Sequence, residues 1–184
     1  MEKKDLKPAG VFKYFEEICQ VPRPSKKEEK MIAYLKAFGA KHNLETKVDE
    51  AGNVLIKKPA TPGKENLQTV VLQSHIDMVC EKNNDVQHDF LTDPIETEID
   101  GEWLKAKGTT LGADNGIGVA TELAILADDS IEHGPLECLF TVDEETGLTG
   151  AFALQEGFMS GDILLNLDSE DEGEIFIGCA GGID

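Results

Sequence analysis

Polar side chains that can bind metal ions follow three predicted strands. The run "TVVLQSHID" ends in His75 and Asp77, "LFTVDEE" ends in Glu144 and Glu145, and "DILLNLD" ends in Asp168. Ligands of open α/β sheets bind beyond the carboxyl ends of the strands, so we expect these side chains to lie close together. One imidazole with several carboxylates suits zinc, cobalt or manganese better than calcium, which prefers oxygen ligands alone.

A glycine-rich loop, "GTTLGADNGIG", adds Asp114 immediately before a predicted helix. The stretch "GIGVAT" resembles a dinucleotide fingerprint, but Thr121 occupies its third glycine position, and no Lys-Ser or Lys-Thr pair completes a phosphate loop. An aspartate at the head of the loop would also repel a pyrophosphate. These features argue against a nucleotide site and leave Asp114 available for a cation.

Each of these residues also has an ordinary structural interpretation. His75 would be a hydrogen-bonded side chain at a strand end, and Asp114 an N-cap. The two glutamates would form a solvated turn, and Asp168 would begin the acidic loop "DSEDEGE". Four such coincidences at equivalent strand ends are needed at once, so the set as a whole weakens the structural interpretations and makes a metal site an equal alternative.

Strands that alternate with helices predict an α/β fold with a mostly parallel mixed sheet flanked by helices on both faces. The capping-box spacing of Ser25 and Glu28 predicts the start of the second helix. Turns are predicted at Gly52-Asn53, between two short strands, and at Asp100-Gly101, within a polar hairpin. A last strand is predicted over "EIFIGCAGG", residues 174–182.

The composition limits the partners and the compartment. The formal net charge is −19 over 184 residues, which argues against nucleic acid or an anionic membrane as a partner. The amino-terminal stretch lacks the apolar core of a signal peptide, and no apolar run is long enough to span a bilayer. Four cysteines without a C-x-x-C pair indicate free thiols in a reducing compartment, so we expect a cytoplasmic protein.

Four stretches in order resemble the co-catalytic two-metal peptidases of the aminoacylase and carboxypeptidase type, and within them the Xaa-His dipeptidases. These stretches are "SHIDMVCEKN", "GTTLGADNGIG", "TVDEETGLTGA" and "NLDSEDEGEIFIGCAGG", which extend from about residue 74 to residue 182. The resemblance implies a two-metal exopeptidase catalytic domain. It also implies metal-dependent hydrolysis of dipeptides of the Xaa-His type.

The resemblance gives each site residue a role. His75 and Asp168 would hold one metal, Glu145 would help to hold the other, Asp114 would bridge both, Asp77 would orient the His75 imidazole, and Glu144 would be the general base. The two ions would most readily be zinc, with cobalt or manganese as alternatives. Neighbouring strand residues point to opposite faces, so both glutamates can converge only if the strand bends there, as Gly147 would permit.

The resemblance also implies a longer protein. The family's second metal needs a further histidine from near the end of a longer chain, and His42, His88 and His133 do not match its context. An inserted lid and dimerisation domain would follow "GCAGGID", which makes a homodimer an option for the full-length protein. We therefore interpret residues 1–184 as the amino-terminal portion of the catalytic domain, with its carboxy-terminal part absent. This portion alone is expected to hydrolyse dipeptides poorly or not at all.

Two alternatives remain open from the sequence. A related two-metal aminopeptidase shares the E-E-x-G-x-x-G-A stretch, although "ADNGIG" and "DSEDEGE" favour the dipeptidase branch. A non-catalytic acidic domain that binds a cation or a peptide is the alternative from a different class.

Overall fold

A computed structural model describes residues 2–169 and 173–178. Within these ranges, four α-helices and seven strands follow one another. The helices are α1 (Ala9–Cys19), α2 (Glu29–Lys41), α3 (Ala113–Ala127) and α4 (Thr149–Ala153). The strands are β1 (Glu45–Val48), β2 (Val54–Lys58), β3 (Val70–His75), β4 (Thr97–Asp100), β5 (Trp103–Ala106), β6 (Leu136–Thr141) and β7 (Ile163–Asn166).

The main sheet has five strands in the order β1-β2-β6-β3-β7. Strand β6 pairs parallel with β3, and β3 pairs parallel with β7, whereas β2 is antiparallel to both of its neighbours. Four of the five strands therefore run in the same direction, and the predicted mostly parallel mixed sheet is confirmed. The polar strands β4 and β5 form a separate hairpin.

Helices α1, α2 and α3 pack against one face of the sheet, where they bury the larger hydrophobic core. Their apolar stripes meet alternate residues of β2, β3 and β6. This core includes Phe15, Ile18, Met31, Leu35, Val54, Ile56, Leu72, Val119, Leu123, Cys138 and Phe140. Helix α1 packs closely along α3, and α3 lies against β3.

The opposite face carries a smaller core that follows from the same alternation. Leu55, Val71 and Leu139 point to this side and are buried. They are covered by Leu154, which directly follows α4, and by the loop residues Phe158 and Met159. Both faces of the sheet are thus covered, as the sequence predicts.

The predicted capping box at the second helix is wrong. Helix α2 is preceded by Glu28 as its N-cap residue, and no side chain caps it. The Ser25 hydroxyl instead donates to the Asp77 carboxylate at 2.7 Å. Glu28 accepts the backbone N–H groups of Lys26 and Asp143, each at 3.0 Å. Asp77 is fully buried, and a buried carboxylate needs donors more than a helix end in contact with water does.

Two predicted turns have the expected positions. Between β1 and β2, the Asp49 carboxylate accepts the backbone N–H groups of Ala51, Gly52 and Asn53, and Gly52 has a φ of +102°. Gly101, with a φ of +63°, closes the hairpin between β4 and β5. Both glycines adopt the left-handed conformation that other residues rarely accept.

The predicted last strand is not found over the part of it that the structure describes. Residues 174–178 form no strand, and 179–182 lie outside the described residues. Ile175 and Ile177 are 90% and 101% exposed. An apolar β-branched run forms a strand only where a neighbouring strand pairs with it, and within the described ranges no strand pairs with these residues.

Two further expectations concern cysteines and membranes. Cys19, Cys80 and Cys138 are free, while Cys179 lies outside the described residues. Within residues 2–169 and 173–178, no helix has the length and apolar character needed to cross a membrane.

Candidate metal centre

The centre begins where β3 and β6 end side by side. His75, the last residue of β3, is paired with Thr141, the last residue of β6. The Ile76 N–H continues the pairing by donating to the Thr141 carbonyl at 2.9 Å. This register brings the loop after β3, with Asp77, next to the turn after β6. Parallel pairing thus explains why residues so distant in sequence are neighbours.

Three carboxylates lie around the Nε2 atom of His75, whose side chain is only 1% exposed. Its Nε2 lies 3.0 Å from Asp114 Oδ1, 3.6 Å from Asp168 Oδ1 and 3.9 Å from Glu144 Oε2. Asp114 is the most exposed of the three. Every carboxylate here approaches the same ring nitrogen, so Nε2 marks the centre of the cluster.

Two overlapping groups of metal-capable side chains share His75. The first contains His75, Asp114 and Asp168, and the second contains His75, Glu144 and Glu145. In each group one ligand atom from every residue lies within 4.8 Å of the others. Imidazole nitrogen and carboxylate oxygen are established ligands of zinc and similar ions, so these residues fit a divalent metal.

Asp77 lies behind His75 and connects several elements of the site. Its Oδ1 is 3.3 Å from His75 Nδ1, and its two oxygens accept the backbone N–H groups of Glu144 at 3.0 Å and Glu145 at 3.3 Å. Burial raises the pKa of Asp77, but contacts with His75, the Glu144 amide and Ser25 outweigh it and bring the pKa to about 2. Asp77 is therefore ionised near neutral pH.

The carboxylates around His75 strongly favour positive charge. Burial lowers the pKa of His75, but its contacts with Asp168 and Asp77 outweigh burial and raise the pKa to about 10. The contact with His75 is also the main cause that lowers the pKa of Asp168. An environment that stabilises a cation this strongly also attracts a metal ion.

The adjacent glutamates converge because the chain turns sharply around them. Asp143 has a φ of +49° and Gly147 a φ of +137°, and the Gly147 N–H donates to the Glu144 carbonyl at 3.0 Å. Burial is the main cause that raises the pKa of both Glu144 and Glu145. The neighbouring carboxylates add to it, chiefly Asp168 for Glu144 and Asp114 for Glu145. The predicted bend is present, and it begins one residue before the pair.

Asp114 is not the N-cap of α3. Gly112 holds that position with a φ of +67°, and Asp114 and Asn115 have non-helical backbone angles within the first turn. The Asp114–Asn115 peptide bond is cis. The Asn115 amide donates to the Leu167 carbonyl at 3.0 Å and also to the Asp168 carboxylate. Asn115 thus links the start of α3 to the end of β7, and Asp114 is left to face His75.

The three other histidines lie elsewhere. His42 stacks on Phe38, His88 packs edge-on against Phe90, and the His133 ring contacts the Gly134 carbonyl at 2.7 Å. Among the described residues, His75 is the only histidine in any of the metal-capable groups.

Several residues of the site escape prediction from sequence. Ser25 resembles a helix cap, and Asn115 is one polar residue in a glycine-rich loop, so neither carries a distinctive signal. A third acidic group, Glu28, Asp77 and Asp143, lies behind the site and is buried. These carboxylates accept hydrogen bonds from backbone N–H groups or hydroxyls. The Thr146 hydroxyl, for example, donates to Asp143 at 2.6 Å.

The family model described as peptidase family M20/M25/M40 matches residues 71–179, which is more than half of the chain. The chain belongs to this family, and the resemblance found in the sequence is confirmed.

Characterised relatives agree with this assignment. The chain is 54% identical over 183 residues to the cytosol non-specific dipeptidase of Escherichia coli, a match that covers 100% of this chain and 38% of that protein. The crystal structure of the aminoacylhistidine dipeptidase from Vibrio alginolyticus superposes with a TM-score of 0.94 at 56% identity, covering 97% of this chain and 36% of that one. Aminopeptidase PepT from Bacillus cereus gives a TM-score of 0.75 at 26% identity, with 88% and 43% covered. The chain therefore spans little more than a third of the two more similar relatives.

Proposed function

We propose that this chain belongs to a metal-dependent dipeptidase and contributes most of its metal centre. The observation that carries the proposal is the convergence of three carboxylates on His75 Nε2, at 3.0 to 3.9 Å. The family assignment and the names of the two more similar relatives support peptide hydrolysis. The relatives' names also support dipeptides as substrates, with Xaa-His dipeptides among them.

Two divalent ions, most readily zinc, would be held by this cluster of side chains. His75 and Asp168 would hold one ion, Glu145 would contribute to the other, and Asp114 would bridge them. Divalent metals held in this way activate water and polarise a scissile carbonyl. The short contact between His75 and Asp114 and the shared position of the two groups support this assignment.

Glu144 would act as the general base. Its Oε2 atom lies 3.9 Å from His75 Nε2. Burial and nearby negative charge raise the pKa of Glu144. A raised pKa makes a carboxylate a better proton acceptor. Glu144 would take the proton of the attacking water and pass it to the leaving amine.

Asp77 would position other groups without touching the substrate. Its contact with Nδ1 fixes the ring of His75 with Nε2 toward the cluster, and its bonds to two amides fix the turn that carries the glutamates. Such partners set both the orientation and the basicity of a metal-binding imidazole.

Residues 1–184 are proposed to be the amino-terminal portion of the catalytic domain. Both of the more similar relatives are much longer, and the described residues supply a single histidine to the cluster. The chain alone is therefore expected to hydrolyse dipeptides slowly or not at all. The name of the Escherichia coli relative supports a cytosolic location, and a homodimer is proposed only for the full-length protein.

Hydrolysis assays with a substrate panel test this function. The protein at the full length of its relatives would be given Ala-His, Ala-Ala, Ala-Ala-Ala and an aminoacyl anilide, before and after metal removal by a chelator. We expect cleavage of the dipeptides, loss of activity with the chelator, and recovery with zinc. Preference for the tripeptide or the anilide would favour the aminopeptidase alternative, whose support is the likeness to PepT. Activity that persists without metal would contradict the proposal.

A further inference from the structure

Arg23 is the only arginine in the sequence, and its side chain is almost completely buried at 2% exposed. It lies in the loop between α1 and α2, outside every motif that predicts the metal centre. Burial of a guanidinium is costly unless its donors are satisfied, so a buried arginine needs an explanation. Burial lowers the pKa of Arg23, while the charges of Asp77 and Asp114 oppose this shift.

The guanidinium connects the two loops that carry His75 and Asp114. Its Nη1 donates to the carbonyls of Ile76 and Asp77, each at 3.1 Å, in the loop that directly follows His75. Its Nη2 donates at 2.6 Å to the carbonyl of Gly112, two residues before Asp114. Arg23 thus binds each loop at a point within two residues of His75 or Asp114.

The backbone beside Arg23 strengthens the same connection. The Met78 N–H donates to the Arg23 carbonyl at 3.2 Å, and Pro24 pairs with Met78 in an isolated parallel bridge. Ser25 then donates to Asp77. Residues 23–25 therefore attach to the loop after β3 through main chain and side chains alike.

Two glycines leave room for the guanidinium. A Cβ at Gly112 would lie 2.6 Å from Nη2, and a Cβ at Gly116 would lie 2.7 Å from it. Both distances are too short for real atoms, so the loop before α3 and its first turn are shaped around this side chain. Two of the three glycines of "GADNGIG" thus make room for Arg23, a role unrelated to phosphate binding.

We infer that Arg23 is a positioning residue that sets the separation of His75 and Asp114, and hence the geometry available to the metal ions. This inference rests on the proposed function. A planar guanidinium can direct separate N–H groups to carbonyls on two loops, whereas a lysine ammonium offers a single point of attachment. The fit is specific to arginine.

Cobalt binding to the 184-residue chain tests the inference, with the affinity and the visible absorption spectrum of bound Co²⁺ as readouts. Arg23→Met removes the charge and the fork, and Arg23→Lys keeps the charge alone. Lys36→Met, on the exposed side of α2, is the matched control for charge. Removal of a cation near the carboxylates would by itself tighten Co²⁺ binding, so positioning and simple electrostatics predict changes of opposite sign.

We expect both Arg23 variants to bind Co²⁺ about 10- to 100-fold more weakly, with an altered spectrum, and the control to be unchanged. Circular dichroism at the same temperature establishes that each variant is folded. Should the Arg23 variants unfold, Gly116→Ala serves instead, because it displaces the guanidinium without removing it, and the same weakening is expected. Normal or tighter binding by folded variants would overturn this inference alone. Absence of Co²⁺ binding by the unaltered chain would overturn the proposed metal centre and this inference with it.

Discussion

The Asp77 carboxylate accepts the backbone N–H of Glu144 at 3.0 Å, although 67 residues separate the two positions in sequence. The same carboxylate contacts His75 and accepts the Ser25 hydroxyl. One buried anion therefore holds the end of β3, the turn after β6 and the loop before α2 in a common frame. The position of His75, the candidate metal ligand, and that of Glu144, the candidate base, therefore depend on each other through Asp77.

Replacement of Asp77 by asparagine should damage both stability and metal binding. The asparagine amide would place its own N–H donors opposite the backbone N–H groups and the Ser25 hydroxyl that now donate to Asp77. These unmatched donors should lower the free energy of unfolding by about 1–3 kcal/mol. Zinc affinity should fall about 10- to 100-fold, because the His75 ring loses its orienting partner. Urea unfolding and zinc titration measure the two effects. Asp162→Asn, at an exposed position, should change neither, and an Asp77 variant with unaltered zinc affinity would contradict the positioning role.

Replacement of Glu144 by alanine should separate catalysis from metal binding. In the protein at full length, kcat for a dipeptide should fall by about 100-fold or more, since a general base contributes at least that much. Zinc stoichiometry, measured by atomic absorption, should remain that of the unaltered protein, because Glu144 is proposed to hold a proton and not an ion. Glu156→Ala, at an exposed site, should retain full activity. Turnover that survives the Glu144 change would show that the base lies elsewhere.

Replacement of Gly150 by alanine should disturb the centre from a distance. An added Cβ would lie 2.3 Å from the Val142 carbonyl oxygen and 2.5 Å from Asn53 Oδ1, both buried behind the turn that carries the glutamates. We expect a loss of about 1–3 kcal/mol in the free energy of unfolding, as for other overpacked sites, together with weaker zinc binding. Thermal melting and zinc titration give the measurement. The neighbouring Ala151→Ser, which is exposed, should behave as the unaltered chain does.

Glu137 should make stability depend on pH at the opposite end of the sheet. Its carboxylate accepts Lys57 at 2.6 Å and the Ser160 N–H at 2.7 Å. Burial raises the pKa of Glu137, but these contacts outweigh burial and hold the pKa below its usual 4.5. A depressed folded-state pKa means that this stabilisation is complete above pH 4.5 and is lost as the pH falls through the lower value.

Glu137→Gln should therefore destabilise the chain at neutral pH, and the difference from the unaltered chain should shrink as the solution is acidified below pH 4.5. Urea unfolding at a series of pH values provides the comparison. Glu132→Gln, in an exposed pair with Lys64, is the control and should show little difference at any pH. A Glu137 effect that stays constant down to strongly acidic pH would contradict this assignment.

The sequence predicts the fold well because its strands are strongly patterned. The apolar runs that end at His75 and Thr141 belong to β3 and β6, and their parallel pairing places their polar ends at one edge of the sheet. The family resemblance supplies the roles proposed for the acidic residues. The polar residues at strand ends thus predict where the acidic cluster forms. The family resemblance suggests the role of each residue in it.

Other features depend on tertiary contacts that local patterns do not reveal. Ser25 has the spacing of a helix cap, yet a buried carboxylate 52 residues away takes its hydrogen bond. In the sequence, Arg23 is one more basic residue in a loop. Only the fold shows that its guanidinium connects the loop after β3 to the loop before α3. The run at residues 175–177 has strong β propensity, but without a paired strand in the described part of the chain it forms none.

An anomalous-scattering map at the zinc edge, from crystals of this chain grown with added zinc, tests the central claim most directly. We expect a strong peak within coordination distance of His75 Nε2, with Asp114 and Asp168 as further ligands. A second peak toward Glu145 is predicted for the protein at full length. A map with no peak near His75, or with its only strong peaks at other groups such as Glu28, Asp77 and Asp143, would contradict this claim.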